Sequence, residues 1–480
     1  MRTLIRKAAP VLAAAALLLC LPAPEAGARI DGVTGPTFSV TAMRDYISTA
    51  EGGSWLIWGY RNDAATFPFN RAQYPGPTMI VNEGETVTVT LTNNLAEPVS
   101  IIFPGQTGVT AAGGLPGLLA REAAPRSSTT ATPAQKTVTY SFVAANPGTF
   151  LYYSGSHPEL QVEMGLLGAL IVRPLMGPDF AYNHADSRFD RETLFLLTEI
   201  DPAVHAKVDA GQPSAISNAA RNAKYWFING RVAPDDMQPA FVDWLPTQPY
   251  NSMPTIHPGE RLLMRVVNLG RDLHPFHYHG NHARVIAHDG RLLSSAPGSG
   301  ADLSYELFTI QSVPGETRDA IFQWTGKNLG WDPYGPVVDD TVCTDDDNDG
   351  LADNPADPTM PMHCHDADCV DNLNNDTGVG PGDGFDDATY EWCADHGTPI
   401  PVTLPEDQDV TFGGWYPGSP YLGTVPLGGL PPGQGGLNPT GAFVFMWHSH
   451  TEKEITNFDI FPGGMMTMLF VEPFGTPIME

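Results

Sequence analysis

The sequence predicts an all-β protein built from two copies of one domain, the second interrupted by a long acidic segment. Three observations carry that reading. Glycine and proline number 49 and 45 among 480 residues while only 16% are charged, against roughly one quarter in ordinary globular chains. Such a composition suits short strands joined by turns and disfavours long helical bundles. Strand-like runs sharing one turn signature appear in two separate regions. The formal net charge of −29 is also concentrated, because residues 331–440 hold 21 acidic side chains and no Lys or Arg. With that field and no basic cluster to offset it, nucleic acid is disfavoured as a partner.

The chain opens with a basic head, Met1-Arg2-Thr3-Leu4-Ile5-Arg6-Lys7, an apolar run from Ala8 to Leu21, and the small-x-small site Ala26-Gly27-Ala28. That is the layout of a secretory signal peptide over residues 1–28, and the run is too short for a comfortable membrane span. No later segment approaches a transmembrane span. The expectation is an exported protein: periplasmic, extracellular or at the cell surface. Cys20 as a lipid-anchored cysteine is the alternative, disfavoured by Leu19, which is larger than the small residue usual there.

The first domain is expected over residues 37–175. Thr86-Val87-Thr88-Val89-Thr90-Leu91-Thr92 alternates as a strand with one buried face does, and residues 54–60, 136–143 and 169–172 continue the pattern. The second is expected at 190–330 and 441–474, with runs at Leu194–Leu197, Tyr225–Ile228 and Arg261–Val267. Asn82-Glu83-Gly84-Glu85 in the first region and His257-Pro258-Gly259-Glu260 in the second are the shared turn, the mark of an internal repeat.

Residues 331–440 form the insertion, too long and peculiar for a hairpin loop. It contains Cys343, Cys364, Cys369 and Cys393; an even number in an exported chain reads as two disulfides, with three pairings open. Asp345, Asp347, Asp349 and Asp353 stand at positions 1, 3, 5 and 9 of a loop with Gly350 at 6. Hard carboxylate oxygens around a glycine turn suit calcium. The Glu expected at position 12 is replaced by Ala356, and a merely solvated acidic loop is the alternative. With its cysteines the segment resembles a thrombospondin type 3 calcium repeat.

Two histidine clusters stand apart: His274-Pro275-Phe276-His277-Tyr278-His279-Gly280 and Trp447-His448-Ser449-His450. Residues two apart on a strand share a face, so His277 with His279, and His448 with His450, each make a chelating pair suited to copper, zinc or iron. The alternative is a set of histidines that hold no metal.

On these motifs the sequence resembles the multicopper oxidases. Pro75-Gly76-Pro77-Thr78, Gly148-Thr149-Phe150-Leu151-Tyr152-Tyr153, Ile228-Asn229-Gly230, the two histidine motifs and Gly464-Met465-Met466 carry the likeness. It implies two cupredoxin-like Greek-key β-sandwich domains. The 121 residues from Tyr153 to His274 leave no room for a third, as in two-domain members, which commonly assemble as trimers with metal sites between subunits. A homotrimer is therefore implied, and no electron partner is named.

The resemblance also exposes departures. Family members bind a three-copper cluster with eight histidines, but Ile102-Phe103-Pro104-Gly105 and Tyr153-Ser154-Gly155 occupy two of the four motif positions, with His157 displaced. His277, His279, His448 and His450 remain, enough for one or two copper ions rather than the usual four. In the electron-transfer site the thiolate position is Ser449 and one histidine position is Glu454. His274 survives there, with Met465 or Met466 as the methionine. A serine and a carboxylate cannot replace copper–thiolate bonding. Cys364, between His363 and His365, mimics the lost motif but sits in the Asp-rich loop and reads as a disulfide half. The sequence thus supports an atypical oxidoreductase or a metal-binding or surface scaffold that lost turnover; missing ligands argue against laccase-type oxygen reduction.

Overall fold

A computed structural model describes residues 30–330 and 442–472, together with 333, 352–354, 357–362, 385, 392–395, 398 and 478. Thr86–Asn93 shows how the first half forms. Val87, Val89 and Leu91 are buried and the threonines between them are not, so β-branched side chains cover one face while hydroxyls meet water on the other. This strand pairs antiparallel with Thr137–Val143 and parallel with Thr37–Ser48. With Ser54–Asn62 and Thr110–Gly113 they form a five-stranded sheet. It faces a four-stranded sheet of Val33–Thr34, Met79–Asn82, Leu167–Arg173 and Gly148–Tyr153. Met79, Val81, Val89, Phe103, Tyr140, Phe142 and Leu170 fill the space between them.

The second half repeats the plan. One sheet runs Tyr225–Ile228, Arg191–Ile200, Arg261–Asn268, Thr317–Gln323, Ala283–His288, Arg291–Leu292, with Tyr305–Leu307 alongside. The other runs Thr255–Ile256, Met466–Val471, Phe443–Ser449, His274–Tyr278, Thr309–Ser312. Trp447 lies at the centre of the core, with ring centroids 4.9 Å from Phe322, 5.7 Å from Tyr278 and 5.8 Å from Phe195. The all-β, two-sandwich fold class agrees with the sequence expectation, and helices stay short, such as Pro202–Asp209 capped by Asp201.

The repeated turn has one physical cause in both copies. Gly84 and Gly259 sit at φ +85° and +83°, a conformation that favours glycine. The glutamate that follows accepts a backbone N–H from the first turn residue: Asn82 to Glu85 at 2.8 Å, His257 to Glu260 at 2.6 Å. Between the halves, buried Arg265 and Asp319 of the second sandwich both reach Thr149 Oγ1 of the first, at 2.9 and 2.6 Å.

The chain leaves the second sandwich after Thr317–Gln323 in one sheet and returns as Phe443–Ser449 inside the other. The returning strand is central, hydrogen-bonded on both sides, and among the described residues no strand of the insertion pairs with either sheet of the sandwich.

Candidate metal centre

His274–Tyr278 and Phe443–Ser449 pair antiparallel, with His277 opposite His448 and Phe276 opposite Ser449. On the first strand His274, Phe276 and Tyr278 are buried while Pro275 and His277 are partly exposed. Strand alternation therefore divides the histidines between two faces: His277, with His279 beyond the strand end and His448 across from it, on the outer one, and His274 inside.

On the outer face four imidazoles are packed together. Ring centroids lie 4.8 Å apart for His277 and His279, 5.4 Å for His277 and His448, and 4.9 Å for His277 and His450. His277, His279 and His448 place one nitrogen each within 4.8 Å of one another. His450 falls outside that tighter group; its side chain is 56% exposed and lies 3.9 Å from Glu452.

The hydrogen bonds determine which nitrogens are available. His448 Nδ1 lies 2.7 Å from the Ser449 carbonyl; a carbonyl only accepts, so Nδ1 carries the proton and Nε2 presents a lone pair. His277 Nδ1 is engaged by Thr309 Oγ1 at 2.8 Å, which leaves its Nε2 free. His448 Nε2 faces His279 Nε2 at 3.4 Å, while His279 Nδ1 is buried without a partner. Even if His279 donates to His448, one of its nitrogens stays unsatisfied. A bound cation would use these lone pairs, so the donor set fits a nitrogen-preferring transition metal. Burial first, then neighbouring imidazoles, lower the pKa of His277 and His279 to about 4. Both are neutral at pH 7, as metal ligands must be.

The inner face is a different environment. His274 is buried, with Nδ1 2.8 Å from Glu454 Oε2 and Nε2 3.0 Å from Glu199 Oε2. Ser449 Oγ donates to the same Glu454 oxygen at 2.6 Å. Burial alone would lower the His274 pKa, but the hydrogen bonds to Glu199 and Glu454 outweigh it and raise it to about 9. The ring is an imidazolium between two carboxylates, with no lone pair left for a metal. Glu199 also takes the Arg221 guanidinium at 2.6 Å, which reaches Glu163 at 2.7 Å. Met465 is buried in the core, and its backbone bonds both Ser449 and Glu454. The positions expected for an electron-transfer copper thus do converge, as a hydrogen-bonded ionic chain.

In the first sandwich Ile102 bridges Tyr153, and Phe103 packs 4.9 Å from Phe142. Ser154 donates to Gln161 and Ser156 to Glu122; His157 is largely exposed, 3.7 Å from Glu97. Core aromatics and serines stand where two histidine pairs were expected. Residues 1–28, Cys343, Cys364, Cys369, Asp345, Asp347 and Asp349 lie outside the described residues. The backbone of Asp353 falls in a strand, Ala352–Asn354, and Cys393 begins a short turn, Cys393–Asp395.

Thr309 and Glu199 are the site residues that sequence reasoning missed. Each is an ordinary strand residue in sequence, 32 and 75 positions from its histidine, and no local motif marks either.

Residues 60–176 match the family model described as multicopper oxidase. The L-ascorbate oxidase of Cucurbita pepo var. melopepo is 35% identical over 130 residues, 26% of this chain and 21% of that protein. The iron transport multicopper oxidase fetC of Epichloe festucae is 26% identical over 237 residues, 48% of this chain and 32% of that protein. The aligned part thus spans between a fifth and a third of these relatives. Among solved structures, the blue copper oxidase from Nitrosomonas europaea superposes with a TM-score of 0.50 at 17% identity, covering 90% of this chain and 85% of that one. At that identity the likeness is one of fold.

Proposed function

We propose, from a chain that belongs to the cupredoxin-type multicopper oxidase family, an exported protein that binds one or two copper ions, or another transition metal, through His277, His279, His448 and His450. It works as an atypical oxidoreductase without a blue copper site or a complete three-copper centre. The observation that carries this reading is the group of three imidazole nitrogens within 4.8 Å, with His279 Nδ1 buried and unpartnered. Copper there would supply one-electron redox chemistry. The chain's own part is to hold the ligands: Thr309 orients His277, the Ser449 carbonyl orients His448, and strand pairing keeps the two rings opposed.

A non-catalytic metal-binding or surface scaffold is the second reading, favoured by the inner face. Glu454 accepts from both His274 and Ser449 rather than binding a metal, so the family's electron route into the cluster is interrupted. Metal analysis of copper-loaded protein with a visible spectrum and an oxygen-uptake assay separates the two. Bound copper with oxygen consumption supports the oxidoreductase, bound copper without it the scaffold, and absence of stoichiometric metal defeats both.

The same proposal includes the signal peptide at 1–28, calcium at Asp345, Asp347, Asp349 and Asp353, and two disulfides among the four insertion cysteines. The pairing of Cys393 in a disulfide supports the last of these. Among the described residues no helix is long and apolar enough to cross a membrane. A homotrimer remains part of the proposal through the family resemblance alone.

A further inference from the structure

We infer that a hairpin of the first sandwich is a membrane-surface anchor, which inserts Leu118 and Leu119 into a bilayer bearing anionic headgroups. The inference goes beyond the metal reading and stands whether or not the histidines hold a metal. Leu115–Pro116 and Arg121–Glu122 pair antiparallel, and Gly117-Leu118-Leu119-Ala120 closes the turn between them. The hairpin follows Thr110–Gly113, which is the edge strand of its five-stranded sheet. Leu118 is 90% exposed and Leu119 58%, and Leu115 and Val109 are exposed as well. No charged residue stands between Glu97 and Arg121, so nothing at the tip offsets this apolar surface. A contiguous exposed apolar patch of that kind marks an interaction site.

Charge selects the occupant. Between Glu97 and Glu159 the chain carries Arg121, Arg126 and Lys136 against one acid, Glu122, a local reversal in a protein of net charge −29. The three cations have neutral partners. Arg121 donates to the Gly113 and Gly114 carbonyls, Arg126 to Asn94 Oδ1 at 2.6 Å, and Lys136 to the Arg126 carbonyl at 2.8 Å. Among the described residues none of them is ion-paired with a carboxylate. Glu122 is already engaged, accepting from Ser156 Oγ at 2.7 Å. The Gly114 amide donates to the Ala134 carbonyl and the Ala124 amide to that of Gln135, which holds the segments bearing Arg126 and Lys136 at the base of the hairpin. An apolar tip above a cationic base matches the acyl boundary and the phosphates of a lipid surface. Repulsion from the protein's net charge is screened beyond about 8 Å at physiological salt, so the charges at the contact decide. A second copy of the chain is the other occupant to weigh. Four exposed apolar side chains at one turn fall short of the roughly 20–30 residues a side that a stable protein interface uses, whereas shallow insertion into a bilayer needs no matching surface.

The test is flotation of the exported protein with vesicles of phosphatidylcholine alone and of phosphatidylcholine mixed equally with phosphatidylglycerol. A chelator is kept present so that no divalent ion bridges the acidic segment to the lipid. The protein should float with the mixed vesicles and bind them about tenfold or more tighter than phosphatidylcholine alone. Leu118→Glu/Leu119→Glu should lower that binding at least tenfold, with an unchanged thermal unfolding curve because both side chains are exposed. Leu118→Phe/Leu119→Phe, which keeps the tip apolar, should retain it. Arg126→Gln and Lys136→Gln should each weaken binding to the mixed vesicles about fivefold and leave the metal content of copper-loaded protein as it was. A His277→Ala/His448→Ala variant should float as the native protein does, so failure of the metal reading and failure of the anchor are told apart. Equal binding to the two vesicle types, or unchanged flotation of the Leu118→Glu/Leu119→Glu variant, would overturn the inference. So would sedimentation velocity without lipid in which that variant turns an oligomer into monomer, because the tip would then be an interface between copies of the chain.

Discussion

His277 and His448 are register partners across two antiparallel strands, with their ring centroids 5.4 Å apart. One ring is turned by Thr309 and the other by the Ser449 carbonyl, so the free nitrogens of both are set by neighbours that are not themselves ligands. Removing both rings should therefore abolish binding rather than halve it. The His277→Ala/His448→Ala variant should lose its bound copper, whereas Cys364→Ser should keep it and loosen only the insertion. Metal content by mass spectrometry checks this, and unchanged stoichiometry in the double variant would make the pocket a relic.

Thr309 acts on the metal only through His277. Thr309→Val should weaken copper binding about 10- to 100-fold, the usual cost of losing a hydrogen bond behind a ligand, and Thr309→Ser should restore it. An affinity that is the same in Val and Ser variants would show that the hydroxyl plays no part.

With Ser449 in the thiolate position, fully copper-loaded protein should lack the intense visible absorption of a copper–thiolate bond. A Ser449→Cys/Glu454→His variant places a thiol and an imidazole beside His274, and should gain that band if the inner face can still accept metal. Strong blue absorption in the unmodified protein would refute the assignment of the inner face.

The inner chain should contribute to stability with a defined pH dependence. His274 has its folded pKa raised to about 9, because its bonds to Glu199 and Glu454 outweigh burial. Its contribution is then full below the unfolded value of about 6.5 and is lost as pH rises through 9. Denaturant unfolding of the native protein and a His274→Gln variant should show a stability difference that shrinks between pH 6.5 and 9.5. His277 and His279 carry the opposite sign. Their folded pKa values near 4 mean that metal-free protein loses stability as pH falls from about 6.5 toward 4.

Breaking the chain at a carboxylate should be costly. Glu454→Ala leaves a buried imidazolium and the Ser449 hydroxyl without their shared acceptor, and should destabilise the protein by about 3–5 kcal/mol. Glu454→Gln keeps an acceptor oxygen and should cost less. Equal losses in the two variants would mean that packing, not the hydrogen bonds, accounts for the effect.

The sequence by itself determined what local periodicity controls. Alternation placed His277 and His279 on one face and His274 on the other, because a strand repeats every two residues whatever lies beside it. The turn at Gly84 and Gly259 was equally readable, since its conformation and the glutamate that closes it lie within four residues. Only the tertiary structure decided which side chains complete the two faces. Thr309 and Glu199 reach the histidines from other strands, and Arg221 reaches Glu199 from a loop, through register and sheet packing, and neither is a property of the local chain. The inner face shows the limit most clearly. Ser449 and Glu454 read as missing copper ligands in the sequence, and the fold makes Glu454 the shared acceptor of a charged His274 and of the Ser449 hydroxyl.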